Sequence, residues 1–249
     1  LFSKTKKGTV SMVWRRFFLD LILVPLSLMI LLGYHLWLWY KIRTQPLSTT
    51  IGINSTARRR WVLSIMKDNE KKNILAVQSL RNTLMGSSLM ATTSILLSAG
   101  LAAIISSTYS IKKPLKDAVY GGHGEFVIAL KYVSILCFFL FSFFCYSLSI
   151  CFVNQVNLMI NIPTNLLLDD LSPTVTPEYV VELLERGQTM NLVGNRIFYS
   201  GMPLLVWIFG PLTVLLCSLA MVPVLYRLDM AVSSSKGRNS AEVRDGINI

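Results

Sequence analysis

The chain has 249 residues, 53% of them apolar and only 15% charged, with a mean hydropathy of +0.53 and a formal net charge of +11. That balance excludes an ordinary soluble domain. It also argues against a nucleic-acid partner, because the basic residues flank apolar runs, where anionic lipid headgroups and the positive-inside rule account for them. Cys137, Cys145, Cys151 and Cys217 all lie inside apolar runs without CxxC spacing, so they read as packing residues and neither a disulfide framework nor a zinc site is expected.

Residues 1–11 carry no pattern and are set apart as a non-native or disordered leader, leaving 12–229 as the membrane domain. The first apolar run is 17–40, interrupted only by Asp20. It is too long for a signal peptide, and Trp37, Trp39 and Tyr40 form an interfacial belt at its far end. Residues 41–81 form a basic connection. Within it, Trp61, Val62, Ile65 and Met66 share one face of an amphipathic helix beside Arg58, Arg59 and Arg60, suited either to anionic headgroups or to capping the bundle.

The second span, about 82–107, is rich in small residues. Ser87, Ala91, Ala99, Ala103 and Ser107, with Gly86, Ser94, Ser98 and Ala102, predict close helix contact and a central position. A glycine-rich turn at 121–124 follows, with no Lys-Ser/Thr to make it a phosphate loop. The third span, about 128–153, is uncharged from Tyr132 to Val153, long enough for a hydrocarbon layer of roughly 30 Å. Thr176-Pro177 signals a loop helix that Gly187 is expected to stop. The last span, about 197–226, carries Pro203, Gly210-Pro211 and Pro223, so it is the helix expected to bend or break. Residues 230–249 read as a disordered polar tail. The fold class is an all-α membrane protein: a four-transmembrane-helix bundle with short amphipathic loop helices.

Four spans would put both ends of the chain on one side, with the loops at 41–81 and 162–196 on the other. The nine Lys and Arg residues of 41–81 make that loop the cytoplasmic one, in a plasma membrane or endomembrane. A glycan on Asn54 of the sequon Asn54-Ser55-Thr56 would reverse the assignment.

Asp20 and Lys131 lie at similar depth with opposite charge, which predicts an intramembrane ion pair. At about 100° per residue, Ser134, Ser142, Cys145 and Ser149 stay within about 60° of Lys131, as one small and polar stripe. Arg43, Arg81, Asn154, Asn157, Asn161, Asn195 and Arg196 cluster near the opposite end as a candidate mouth for an anion or a headgroup. The competing reading is that the amides tie helix ends together.

The stretches WRRFFLDLILVPLSLMILLGYHLWLW, KIRTQPLSTTIGIN, KDNEKKNILAVQSLRNTLMGSSLMATTSILL, SSTYSIKKPL, ALKYVSILCFFLFSFFCYSLSICFVNQVN and MPLLVWIFGP, from Met12 to about Asp229, resemble the plant proteins grouped as domain of unknown function 599. The resemblance implies a four-span membrane protein beginning at the equivalent of Met12. It implies no activity.

Only His35 and His123 are histidines, and there is no HExxH, GxSxG or Cys-His dyad, so an enzyme is not expected and no cofactor or metal is assigned. A membrane scaffold or regulator, binding lipid or partner proteins, is the preferred expectation. The alternative is a channel or transporter for an ion or small anion, built as a homo-oligomer because four spans enclose little space alone.

Overall fold

Each long helix carries an apolar surface that lipid or another helix must cover, and its buried stripe records which. A computed structural model describes residues 2–67, 69–110, 125–161 and 176–231, with side chains over 20–67, 74–107, 129–161 and 176–231. Within them the fold is all-α: α1 Phe2–Thr44, α2 Thr50–Lys67, α3 Asn69–Ser110, α4 Glu125–Ile160, α5 Pro177–Leu205 and α6 Pro211–Asp229. Four helices are long and apolar enough to cross a membrane, over Asp20–Thr44, Ile74–Ser107, Ala129–Ile160 and Pro211–Asp229. The turn at 121–124 and the tail beyond 231 lie outside the described residues.

The stripe on α1 is Asp20, Val24, Ser27, Leu31, Tyr34 and Leu38, at alternating four- and three-residue steps that keep one face inward. Pro25, Leu26, Met29 and Leu32 face outward. The small residues of α3 divide. Ser87, Ala91, Ser94 and Ser98 are buried, whereas Gly86, Ala99, Ala102, Ala103 and Ser107 face outward. The central helix is therefore α4 and not α3. Small residues on two sides of a helix permit close approach on both, but only one side of α3 has a neighbour. By contrast α4 buries a broad band, including Ile135, Phe139, Tyr146, Val153 and Ile160, between α3 and α5.

Thr176 caps α5 by accepting from the Tyr179 N–H, with Pro177 at the first helical position. Gly187 does not stop this helix. Gly187, Gly194 and Gly201 are buried at seven-residue intervals, and a Cβ added to them would meet Phe152 and Val153, Tyr146 and Cys145, or Phe138 and Phe139 at 3.1–3.4 Å. Glycines on α5 thus accept large side chains that recur every seven residues on α4, running antiparallel. A seven-residue match lets two helices stay in register as they coil together.

The chain then reverses. Pro203 interrupts the last turns of α5, Val206–Ile208 tighten into a 3-10 turn, and Gly210 adopts φ 149°, a conformation that side chains disfavour. Pro211 starts α6, and the Thr213 hydroxyl lies 2.6 Å from the Gly210 carbonyl oxygen and 2.8 Å from that of Val206. The segment 197–226 expected as one broken span is therefore a hairpin, split between α5 and α6.

This reversal changes where the chain goes. Val214 shares a buried cluster with Val24, and Leu225 shares another with Tyr34 and Leu38, so α6 runs parallel to α1. Met230 pairs with Thr49, and the Ala231 N–H donates to the Ser48 carbonyl at 3.1 Å. Residue 230 therefore lies at the end of the bundle that holds residues 45–50, opposite the end that holds Asp20. Against the expectation of both termini on one side, Asp20 and residue 230 lie at opposite ends of the bundle, because α5 itself traverses it alongside α4.

Candidate functional site

An ionised side chain in an apolar interior is stable only if it is paired and hydrogen-bonded. Among the described residues two such pairs occur, one joining α1 to α4 and the other α5 to α6. At one end the Lys131 ammonium donates to Asp20 Oδ2 at 3.0 Å, with side chains only 4% and 5% exposed. Trp207 Nε1–H donates to Asp20 Oδ1 at 3.2 Å, and the ammonium lies 5.0 Å from the Trp207 ring centroid, a cation–π contact. Both carboxylate oxygens are thus satisfied, one of them by the reversal between α5 and α6.

About 14 residues along α1, or roughly 21 Å, lies a second pair that the sequence reading missed. The Arg196 guanidinium donates to both oxygens of Asp229, which is 2% exposed, and the Tyr34 hydroxyl donates to Oδ2 at 2.6 Å. The Ser200 hydroxyl donates to the Arg196 carbonyl, so His35 Nε2–H, 3.3 Å away, is the donor to Ser200 Oγ. His35 Nδ1 and Arg196 Nε are buried without a partner among the described residues. In both pairs the carboxylate comes from α1 or α6 and the cation from α4 or α5. The one signal available was that Asp229 is the only acid in α6, but its position beyond the apolar run concealed its depth.

The expected stripe is brought together in part. Ser142 donates to the Gly194 carbonyl at 2.9 Å, and Cys145 and Ser149 are buried along the same helix contact. Ser134 instead donates to the Leu130 carbonyl of its own helix. The stripe is a packing seam between α4 and α5.

The seven residues expected at a mouth do not converge. Arg43 lies over the Trp39 ring on α1, Arg81 is exposed on α3, and Asn154 is exposed on α4. The Asn161 side chain, just past the end of α4, donates to the Asn157 carbonyl. Asn195 accepts from the Tyr146 hydroxyl at 2.6 Å, and Arg196 turns to Asp229. Their separation follows from helix geometry, since depth places residues at one level but about 100° per residue sends them to different sides.

At this same end, α2 packs Val62, Ile65 and Met66 against Val180, Leu183 and Leu184 of α5. Arg58 makes a two-pronged ion pair with Glu185, both hydrogen bonds 3.1 Å. Glu182 pairs with Arg186, leaving Arg59 and Arg60 exposed. Beneath the Arg58–Glu185 bridge is an open groove of about 420 Å³.

No curated protein matches the chain, and no solved structure does. Residues 22–234, most of the chain and all of α2 to α6, match the family described as protein of unknown function, DUF599. The chain belongs to the DUF599 family, whose function is unassigned.

Proposed function

We propose that this is a multi-pass integral membrane protein of the plasma membrane or an endomembrane, acting as a scaffold or regulator, with the 41–81 end facing the cytoplasm. Membrane embedding is supported by the outward apolar belt, in which Leu26, Met29, Leu89, Leu96, Phe141 and Leu216 are all exposed. A soluble protein does not leave so extensive an apolar surface uncovered. A plant lineage within the family is part of the same proposal and rests on stretches such as KIRTQPLSTTIGIN.

The observation that carries the scaffold reading is the filled interior. Ile135, Phe139 and Tyr146 have no exposure, and the buried charges of Asp20, Lys131 and Asp229 are engaged in ion pairs. Conduction through one copy would need polar groups turned to a path, and these are turned to one another. Exposed Arg59, Arg60 and Lys67 on α2 supply cations for anionic headgroups, each worth about 1 kcal/mol near such a surface. The reading is non-enzymatic and needs no cofactor.

The test is reconstitution into liposomes. Ion flux should stay at the level of protein-free vesicles, while anionic lipid should co-purify with the protein and be lost from Arg59→Ser/Arg60→Ser. Sustained flux from the wild type would overturn the scaffold reading in favour of an oligomeric channel. That second reading is favoured by the outward small residues of α3, Ala99, Ala102 and Ala103, which would allow copies to approach closely.

A further inference from the structure

The groove under the Arg58–Glu185 bridge lies between two close contacts of α2. The second half of α2 is held by the apolar contact of Val62, Ile65 and Met66 with α5. Its first turn is held where Gly52 sits directly on the Pro46–Ser48 turn. A Cβ at Gly52 would lie 2.6 Å from the Pro46 carbonyl carbon, so the backbones meet. Between these points the Arg58–Glu185 bridge reaches from α2 to α5, and Ile42 from α1 completes the wall.

The lining has a specific chemistry. Its two charges, Arg58 and Glu185, neutralise each other, so the groove offers no net charge to a ligand. The remaining polar groups are amides and hydroxyls, among them Asn54, Ser55, Gln188, Thr189, Asn191 and Asn195, beside apolar surface of similar extent. Two of the amides are oriented from behind. Asn191 Oδ1 accepts from the Ser87 hydroxyl at 3.4 Å, and Asn195 Oδ1 accepts from Tyr146 at 2.6 Å. Each carbonyl is thereby committed to the bundle, which leaves the NH₂ group of each as a fixed donor. Gln188 and Asn54 supply both donors and acceptors, and Ile42, Ile51 and Leu192 supply apolar surface among them.

We infer that this groove is a binding site for an uncharged, hydroxyl-rich ligand, a polyol or glycosyl unit. A hydroxyl both donates and accepts, and a sugar ring alternates hydroxyls with apolar C–H faces, which matches interleaved amides and isoleucines. An anion is disfavoured by Glu185. The volume falls within the range of about 300–1,000 Å³ common to small-molecule sites. The groove also begins at Ile42, within about a turn and a half of exposed Trp37, Trp39 and Tyr40, aromatic residues of the kind that sit at headgroup level. The glycosyl unit is therefore either free or the headgroup of a lipid. Only the lipid source rests on the membrane reading.

The experiment uses the full chain in nanodiscs and in detergent. Glucose and myo-inositol serve as free probes by saturation-transfer NMR. A monohexosyl diacylglycerol, with phosphatidylserine as the anionic comparison, serves as the lipid probe by native mass spectrometry. Two variants test the site. Ser55→Trp fills the groove, and Asn195→Asp keeps the acceptor for Tyr146 while removing the NH₂ donor. The wild type should bind at least one hydroxyl probe, and both variants should weaken it by about tenfold or more. Binding of the hexosyl lipid alone would identify the headgroup as the source, and binding of free probes alone a soluble ligand. Binding of neither, a preference for phosphatidylserine at this groove, or unchanged affinity in Asn195→Asp would each overturn the assignment. If Ser55→Trp fails to fold, the Asn195→Asp affinity alone decides.

Discussion

Asp20 illustrates how a single residue can hold three segments together. Its carboxylate receives Lys131 from α4 and Trp207 from the reversal, while its own backbone belongs to α1. Asp20→Asn would leave the Lys131 ammonium buried without its charge partner, a loss of about 3–5 kcal/mol. Removing both charges in Asp20→Asn/Lys131→Met should recover part of that loss. Thermal unfolding in detergent measures both, and a double variant no more stable than the single would contradict the pairing energetics. Asp229→Asn should be costly for the same reason, since Arg196 would keep a buried charge with only neutral partners. The Asp20–Lys131 pair was legible from sequence because two lone charges of opposite sign lie at one depth in apolar runs. The Arg196–Asp229 pair was not. Its depth depends on α6 returning toward Thr49, and no local pattern states that.

At the scale of elements, α4 and α5 are matched by shape. Phe139, Tyr146 and Val153 recur every seven residues, as do Gly201, Gly194 and Gly187 opposite them. Gly194→Ala places a methyl group 3.1 Å from the Tyr146 ring, and Gly194→Leu requires the helices to separate. A cost of about 1–3 kcal/mol is expected for the alanine and a larger one for leucine, measured by the same unfolding assay. An alanine variant as stable as wild type would mean that the helices are free to adjust. The spacing itself stands in the sequence. Reading Gly187 as a helix stop hid it, because glycine ends helices in water but packs them in a bundle. Likewise α5 lacks the hydropathy of a span, since Glu185, Gln188, Thr189, Asn191 and Asn195 line the groove and Arg196 turns to Asp229.

For the whole molecule, the decisive feature is that residue 230 returns to residues 45–50. In a background lacking the four native cysteines, Ser48→Cys and Ala231→Cys should react with an impermeant thiol reagent from the same side of a sealed vesicle. They should also cross-link to each other, because the two backbones are hydrogen-bonded. Labelling from opposite sides would refute the traverse of α5. The sequence by itself determined the class, since uncharged apolar runs of membrane length leave few structures other than helices whose backbone bonds are internal. It also determined the helix start at Thr176-Pro177 and marked Gly210-Pro211 as one of the weak points of the last apolar segment, because capping and φ preference are local. Only the tertiary structure decided which side of α3 is covered, where Arg196 turns, and whether 197–226 crosses once or doubles back. Those outcomes depend on which surfaces find partners. Such contacts join residues far apart in the chain, and their energies are invisible until the helices are placed together.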